Sequence, residues 1–241
     1  MRRDRLAPVL AIVGGAIVLV VALIVANQIS SNSSKKTSAG NIATDSIAEM
    51  LQGIPQKGIE LGNPNAKVTL IEFSDPQCPW CGKWARDTFP TLVQNYVRSG
   101  KLRVEYRGVN VIDPNTGGTD SDRMIRLAQA AGLQNKLWYV VELEFENQAT
   151  EGSGYATDPF LRGIAQAVPG LNVDKALSAS NTNTVVPMIG AAENLAKAKI
   201  GKAISTPTFF IERTGSTQTE KIVGAQPLST FTKAIDAQLK K

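Results

Sequence analysis

The chain has 241 residues, of which 43% are hydrophobic, 20% charged and 6% aromatic, and its formal net charge is +5. That composition suits one or two globular domains and excludes a collagen-like, disulfide-dense or wholly disordered chain. There are two cysteines and no histidine. Without imidazole there is no Ser-His-Asp triad, no Cys-His dyad, no His-ligated metal and no His-ligated haem. Chemistry must come from thiols, carboxylates, amines or hydroxyls. No block of lysine and arginine is interleaved with aromatics, so no nucleic-acid partner is expected.

In chain order, the first element is apolar. Arg2, Arg3 and Arg5 precede a run that opens at Leu6, closes at Ala26 and holds 21 residues drawn only from Leu, Ala, Pro, Val, Ile and Gly. At about 1.5 Å per helical residue the run spans about 31 Å, enough for the hydrocarbon core of a bilayer. The sequence therefore predicts a cytoplasmic tail at 1–5 and a single transmembrane signal-anchor at 6–26, with the remainder extracytoplasmic. A cleaved signal peptide is the competing reading. Its apolar region is normally about 7–15 residues and ends at a small-residue site, which Ile24 and Ala26 supply poorly.

A polar tether with a short docking helix is predicted over 27–58. Residues 27–41 are rich in Ser and Asn. Ser46 and Glu49 have capping-box spacing, and Ile47, Met50, Leu51 and Ile54 share one helical face. Gly53 and Pro55 end that helix. The folded domain is placed at 59–241. Its first strand is 67–74, rich in β-branched and apolar residues as a buried strand requires. A helix follows to about Ser99, kinked at Pro90, and then a second strand over 102–109. Strand, helix, strand is a βαβ unit. Residues 112–121 read as a plain turn-rich loop, without the residue order of a calcium loop. A helical block of three to five helices occupies about 120–200, in which Trp138, Tyr139, Val140, Leu143 and Phe145 read as core. Strands at 207–212 and 218–223 form a hairpin, and an amphipathic helix closes the chain.

Cys78 and Cys81 stand at C-x-x-C, in the order Cys78-Pro79-Trp80-Cys81, between a buried strand and a helix. That placement makes the spacing a redox signal. Zinc needs four Cys or His ligands, which this chain does not supply. A purely structural disulfide closing so small a loop would restrict little chain entropy. Pro79 suits the first helical position, leaving Cys78 as N-cap. A Cys78 thiolate would meet the N–H groups of Trp80 and Cys81 and the helix dipole. The dipole lowers a thiol from about 8.5 by roughly one unit, and direct hydrogen bonds must supply the rest. Cys78 is thus the expected exposed nucleophile and Cys81 the buried resolving thiol. Glu72 lies six residues before Cys78 within VTLIEF. Either it is buried, with a raised pKa, or it faces solvent at the strand end.

These residues resemble the DsbA family of thiol–disulfide oxidoreductases. The resemblance runs from about Gly62 to the C-terminus. It rests on 63–74 leading into CPWC, and on Ser205-Thr206-Pro207-Thr208-Phe209-Phe210-Ile211 after the helical block. It implies an α/β thioredoxin fold with an inserted helical domain, here preceded by a single N-terminal transmembrane helix. It also implies a cis Pro207 beside the cysteines, a proton-relay role for Glu72, and substrate contacts from Pro79, Trp80, Thr206 and Pro207. One departure stands out: the family's best-known enzymes place a histidine where this chain has Trp80, an uncharged residue that offers a platform to substrate or merely covers the helix start.

The expected activity is dithiol oxidation. The Cys78–Cys81 disulfide is donated to unfolded exported proteins through a mixed disulfide at Cys78, with no cofactor and no metal. The resemblance implies a quinone-linked membrane partner, of the DsbB or vitamin K epoxide reductase type. Two other readings remain: a tethered reductase or isomerase using the same CPWC site, and a non-catalytic binding or chaperone module on a thioredoxin scaffold.

Overall fold

The computed structural model describes residues 40–214, 216 and 218–240. The apolar run 6–26 and most of the tether lie outside these residues. No helix among the described residues is long and apolar enough to cross a membrane.

The first helix, α1 (Gly40–Leu51), starts further upstream than the capping-box spacing predicts. Ser46 therefore sits in mid-helix rather than at its N-cap. Asn41 to Asp45 contain neither Gly nor Pro, so nothing stops the helix from extending backwards. Its end is as expected, with Gly53 at a φ of 75° that L side chains disfavour. Ile47, Leu51 and Ile54 are buried in the main core, and the compact body begins at Ile42 rather than near Ile59.

Two short strands, β1 (Gln56–Lys57) and β2 (Glu60–Leu61), form a hairpin that the sequence reading missed. The signal was Gly58 in a two-residue turn, with φ 57°. Next come β3 (Val68–Ser74), α2 (Pro79–Asp87), α3 (Phe89–Leu92), a π-helical turn (Val93–Val97) and β4 (Leu102–Gly108). The expected single helix breaks at Thr88, just before Pro90. The predicted loop at 112–121 contains a short helix, α4 (Asp113–Thr116), closed by Gly117 at φ 72°. The helical block is α5 (Asp120–Gly132), α6 (Leu137–Glu146), α7 (Asp158–Gln166), α8 (Val173–Ser180) and α9 (Val186–Lys199). Then β5 (Thr208–Arg213), β6 (Thr219–Val223) and α10 (Leu228–Leu239) complete the body.

The strands form one sheet in the order β1-β2-β4-β3-β5-β6. β3 and β4 run parallel, and the other pairs are antiparallel. β3 lies at the centre and is buried along its whole length, which its continuous apolar run requires. Register places Glu72 between Tyr106 of β4 and Phe209 of β5.

The main core lies on the Glu72 face, where Leu70, Val104, Phe209 and Ile211 meet α2, α6 and α10. Trp84 is its centre. Its ring centroid lies 4.6 Å from Phe209, 5.2 Å from Phe89 and 5.9 Å from Phe231. Phe89 stacks in turn on Trp138 at 5.1 Å. Such aromatic pairs are worth about 0.5–1.5 kcal/mol beyond the area they bury. They clamp α2 onto the sheet and so fix the cysteines at its start. The opposite face is smaller, with Ile71, Phe73, Val109 and Phe210 packed on Ala196 of α9.

Candidate functional site

α2 opens as the sequence predicts, with Cys78 in extended conformation at the N-cap and Pro79 at the first helical position. The pair are free thiols. Cys78 is less exposed than expected, at 6%, and Cys81 is fully buried. The loop before β5 explains this. Its Thr206–Pro207 peptide is cis, and the Cys78 thiol donates a hydrogen bond to the Thr206 carbonyl at 3.4 Å. Pro207 is buried, and Thr206 is half-buried beside the sulfur. Pro79 is exposed, and the Trp80 indole stands 61% exposed next to the pair.

The two thiols are held far apart in acidity. The Cys78 thiol is pushed down to about 6. The largest cause is a hydrogen bond with the Cys81 thiol. The Thr206 hydroxyl and then the N–H groups of Cys81 and Trp80 add to it, against the opposing effect of burial. The helix start thus contributes less than the sequence reading assigned to it, because Sγ makes no full capping bond. Burial, and then the hydrogen bond and charge of Cys78, push Cys81 well above the ordinary thiol range.

Glu72 is fully buried on the face beneath the pair, not at a solvated strand end. The Ser74 hydroxyl donates to its Oε1, while Oε2 has no partner among the described residues. Burial raises its carboxyl from 4.5 to about 8, with the Ser74 bond opposing. A carboxylic acid with that value holds its proton at neutral pH and can lose it under mild conditions.

Sequence reasoning missed the residues that anchor the CPWC turn. Asp75 accepts from the N–H groups of Gln77 (2.9 Å), Val111 (2.9 Å) and Ile112 (3.1 Å), and from the Ser121 hydroxyl (2.6 Å). The Gln77 amide donates to Asp113 at 2.8 Å and to Ser121 at 2.7 Å. From beyond α6, the Gln148 amide donates to the carbonyls of Pro76 (2.8 Å) and Cys78 (3.0 Å). Gly82 makes room for it, since a Cβ there would lie 2.0 Å from Gln148 Oε1. The only signal in the sequence was a set of polar residues around the turn, and their partners lie too far along the chain to be paired by spacing. Also missed were Glu142 and Glu144, which are buried within α6 among the expected core residues.

A family model described as thioredoxin matches residues 55–237, more than half of the chain. The chain belongs to the thioredoxin family. Its relatives within that family are disulfide bond formation proteins, and the chain is a protein thiol–disulfide oxidoreductase. Among curated relatives, it is 23% identical over 184 residues to a probable disulfide bond formation protein D of Bacillus cereus, covering 75% of this chain and 78% of the relative. It is 28% identical over 138 residues to disulfide bond formation protein D of Bacillus subtilis, covering 55% and 56%. Among solved structures, oxidised BdbD of Bacillus subtilis superposes with a TM-score of 0.66 at 19% identity, over 78% of this chain and 98% of that one. Wolbachia pipientis alpha-DsbA1 gives 0.64 at 21% identity, over 79% and 92%. These thioredoxin-family neighbours share the fold with the helical insertion between β4 and β5.

Proposed function

We propose that this thiol–disulfide oxidoreductase works as a dithiol oxidase on exported proteins, outside the cytoplasm and tethered by the apolar run 6–26. The observation that carries the direction is the asymmetry of the pair. A Cys78 thiol at about 6 is about nine-tenths thiolate at pH 7. That ionisation stabilises the reduced form by about 1.4 kcal/mol, which makes the disulfide about 30 mV more oxidising. The names of the curated relatives, which refer to disulfide bond formation, support the same direction.

In the oxidised protein a substrate thiolate attacks Cys78 Sγ. A substrate–Cys78 bond forms, the Cys78–Cys81 bond breaks, and the electron pair leaves on Cys81. A thiolate at that buried position is unstable, and Glu72 gives it a proton. A second substrate thiolate then attacks the substrate sulfur of the mixed disulfide and expels Cys78, which its surroundings stabilise as thiolate. Two electrons have passed from the substrate dithiol to the pair. A quinone-linked membrane oxidase, of the DsbB or vitamin K epoxide reductase type, takes them on. Trp80 offers an apolar platform for an unfolded chain, with Pro79, Thr206 and Pro207 bordering the mixed disulfide.

The reduction potential in glutathione buffers tests the direction. A value above roughly −200 mV supports the oxidase; a value below about −250 mV assigns the site to a reductase.

A further inference from the structure

Cys81 and Glu72 are both fully buried, so a proton exchanged between them has to be replaced from solvent through the protein. Cys81 and Ala85 lie one turn apart on the buried stripe of α2. Ala85 lines a surface cleft of about 370 Å³ bounded by α1, α2 and α6. Glu142 also lines it, yet is buried, and its Oε1 has no partner among the described residues. The Arg86 guanidinium donates to the Phe145 carbonyl at 2.5 Å and holds α6 against α2. An unpartnered carboxyl oxygen therefore lies on each side of the α2 stripe: Glu72 on β3 and Glu142 on α6.

We propose that Glu142 is a relay residue that passes protons between Glu72 and water in this cleft. The inference rests on the reading of Glu72 as the proton donor to Cys81 and extends it to solvent. When Glu72 gives its proton to the Cys81 thiolate, it is left as a carboxylate. Glu142, still protonated, gives its own proton to Glu72 and is reprotonated from the cleft. No electrons move in this step. Buried unpaired polar oxygens of this kind are ordinarily met by ordered water, which would bridge the two acids.

The charges around Glu142 suit the role. The charges that act on Glu142 are those of Glu72 on β3, Glu146 on its own helix and Arg86 on α2. α1 contributes Ser46, Ile47 and Met50 to the cleft, none of them charged. Burial, and then the charges of Glu72 and Glu146, raise Glu142 well above the usual carboxylate range, with Arg86 opposing. Burial and these acidic neighbours thus favour its protonated form.

The test uses the oxidised full chain in detergent, mixed with excess glutathione and acid-quenched, between pH 6 and 9 in H2O and D2O. Resting Glu72 already holds a proton below about pH 8, so E142Q should release Cys81 at the parental rate there and about tenfold more slowly at pH 9, where Glu72 must first be reloaded, below the usual 10²–10⁴ for a lost acid–base group because water can enter the cleft. Its solvent isotope effect at pH 9 should exceed the parent's, and formate should restore E142A through the opened cleft. The alkylation pH profile of Cys78 should stay as in the parent. The inference is overturned if E142Q keeps the parental rate, pH profile and isotope effect while E72Q loses them. It is also overturned if folded E142A ignores formate, or if E144Q reproduces the E142Q loss, which would route the proton past Tyr106 instead. If E72Q itself changes nothing, the underlying reading of Glu72 fails, and Glu142 has nothing to serve.

Discussion

The two faces of the sheet are built from the same strands on opposite chemical plans. On one, Ile71, Phe73 and Phe210 meet α9 in a small cluster, and the buried acid of that face, Glu105, is paired with Arg103 and Arg107. On the other, the large aromatic core around Trp84 encloses Glu72, with Tyr106, Glu142 and Glu144 also buried. Tyr106, Glu142 and Glu144 are all pushed up by burial, and Tyr106 also by the charges of Glu144, Glu72, Asp75 and Cys81. A fold has no need of buried acids with unpaired oxygens, since apolar residues of similar size fill a core at less cost. They occur on the face that carries Cys81. The difference teaches that the buried acids left with unpaired oxygens gather on the face that carries Cys81, where the proposed thiol chemistry draws a proton from Glu72.

The largest effect expected on that comparison is at the sulfur itself. Cys78→Ser should abolish disulfide transfer to a reduced protein substrate; retained transfer would mean that the pair is not the reactive site. Next is the pH dependence of stability. Glu72 keeps its proton in the folded state up to about 8 but releases it near 4.5 when unfolded. Its contribution is therefore complete below about pH 4.5 and is lost as pH rises towards 8 and beyond. At about 1.36 kcal/mol per unit the loss amounts to roughly 4–5 kcal/mol. Urea unfolding at pH 5, 7 and 9 should show this decline in the parent and a flatter profile in Glu72→Gln. An equally steep decline in the variant would remove Glu72 as its source.

Packing comes third. Trp84→Ala should cost about 3–5 kcal/mol and Phe210→Ala about 3, at the lower end of the range for large aromatics. The opposite order would mean that the α9 face carries the fold. The smallest effect is at Thr206. Iodoacetamide should modify Cys78 with a midpoint near pH 6 and leave Cys81 untouched. Thr206→Val, which removes one hydroxyl contact worth about 0.5–1.5 kcal/mol, should raise the midpoint by about half a unit to one unit. An unmoved midpoint would leave only Cys81 and the helix start to account for the acidity.

Much of this was legible beforehand where the signal is local. The continuous apolar run of β3, the Pro79 that starts α2 and the breaks between α5 and α9 are short-range patterns, and they were read within a few residues. The start of α1 and the β1–β2 hairpin were not, because a capping box competes with ordinary helix propensity and two-residue strands have no period to detect. Glu72 was singled out by its place in VTLIEF. Glu142 and Glu144 were passed over, because α6 is apolar enough to look like plain core.

By itself the amino-acid sequence determined the order of the elements and the reactive pair. Strand periodicity, helix caps and C-x-x-C spacing are properties of neighbouring residues. Only the tertiary structure decided how acidic each thiol of the pair is. The hydrogen bond that most lowers Cys78 comes from a thiol whose burial depends on β3 and α2 packing together. The Thr206 contact joins residues 128 positions apart. Acidity is set by desolvation and by neighbours in space, and these exist only once the chain has closed over the site.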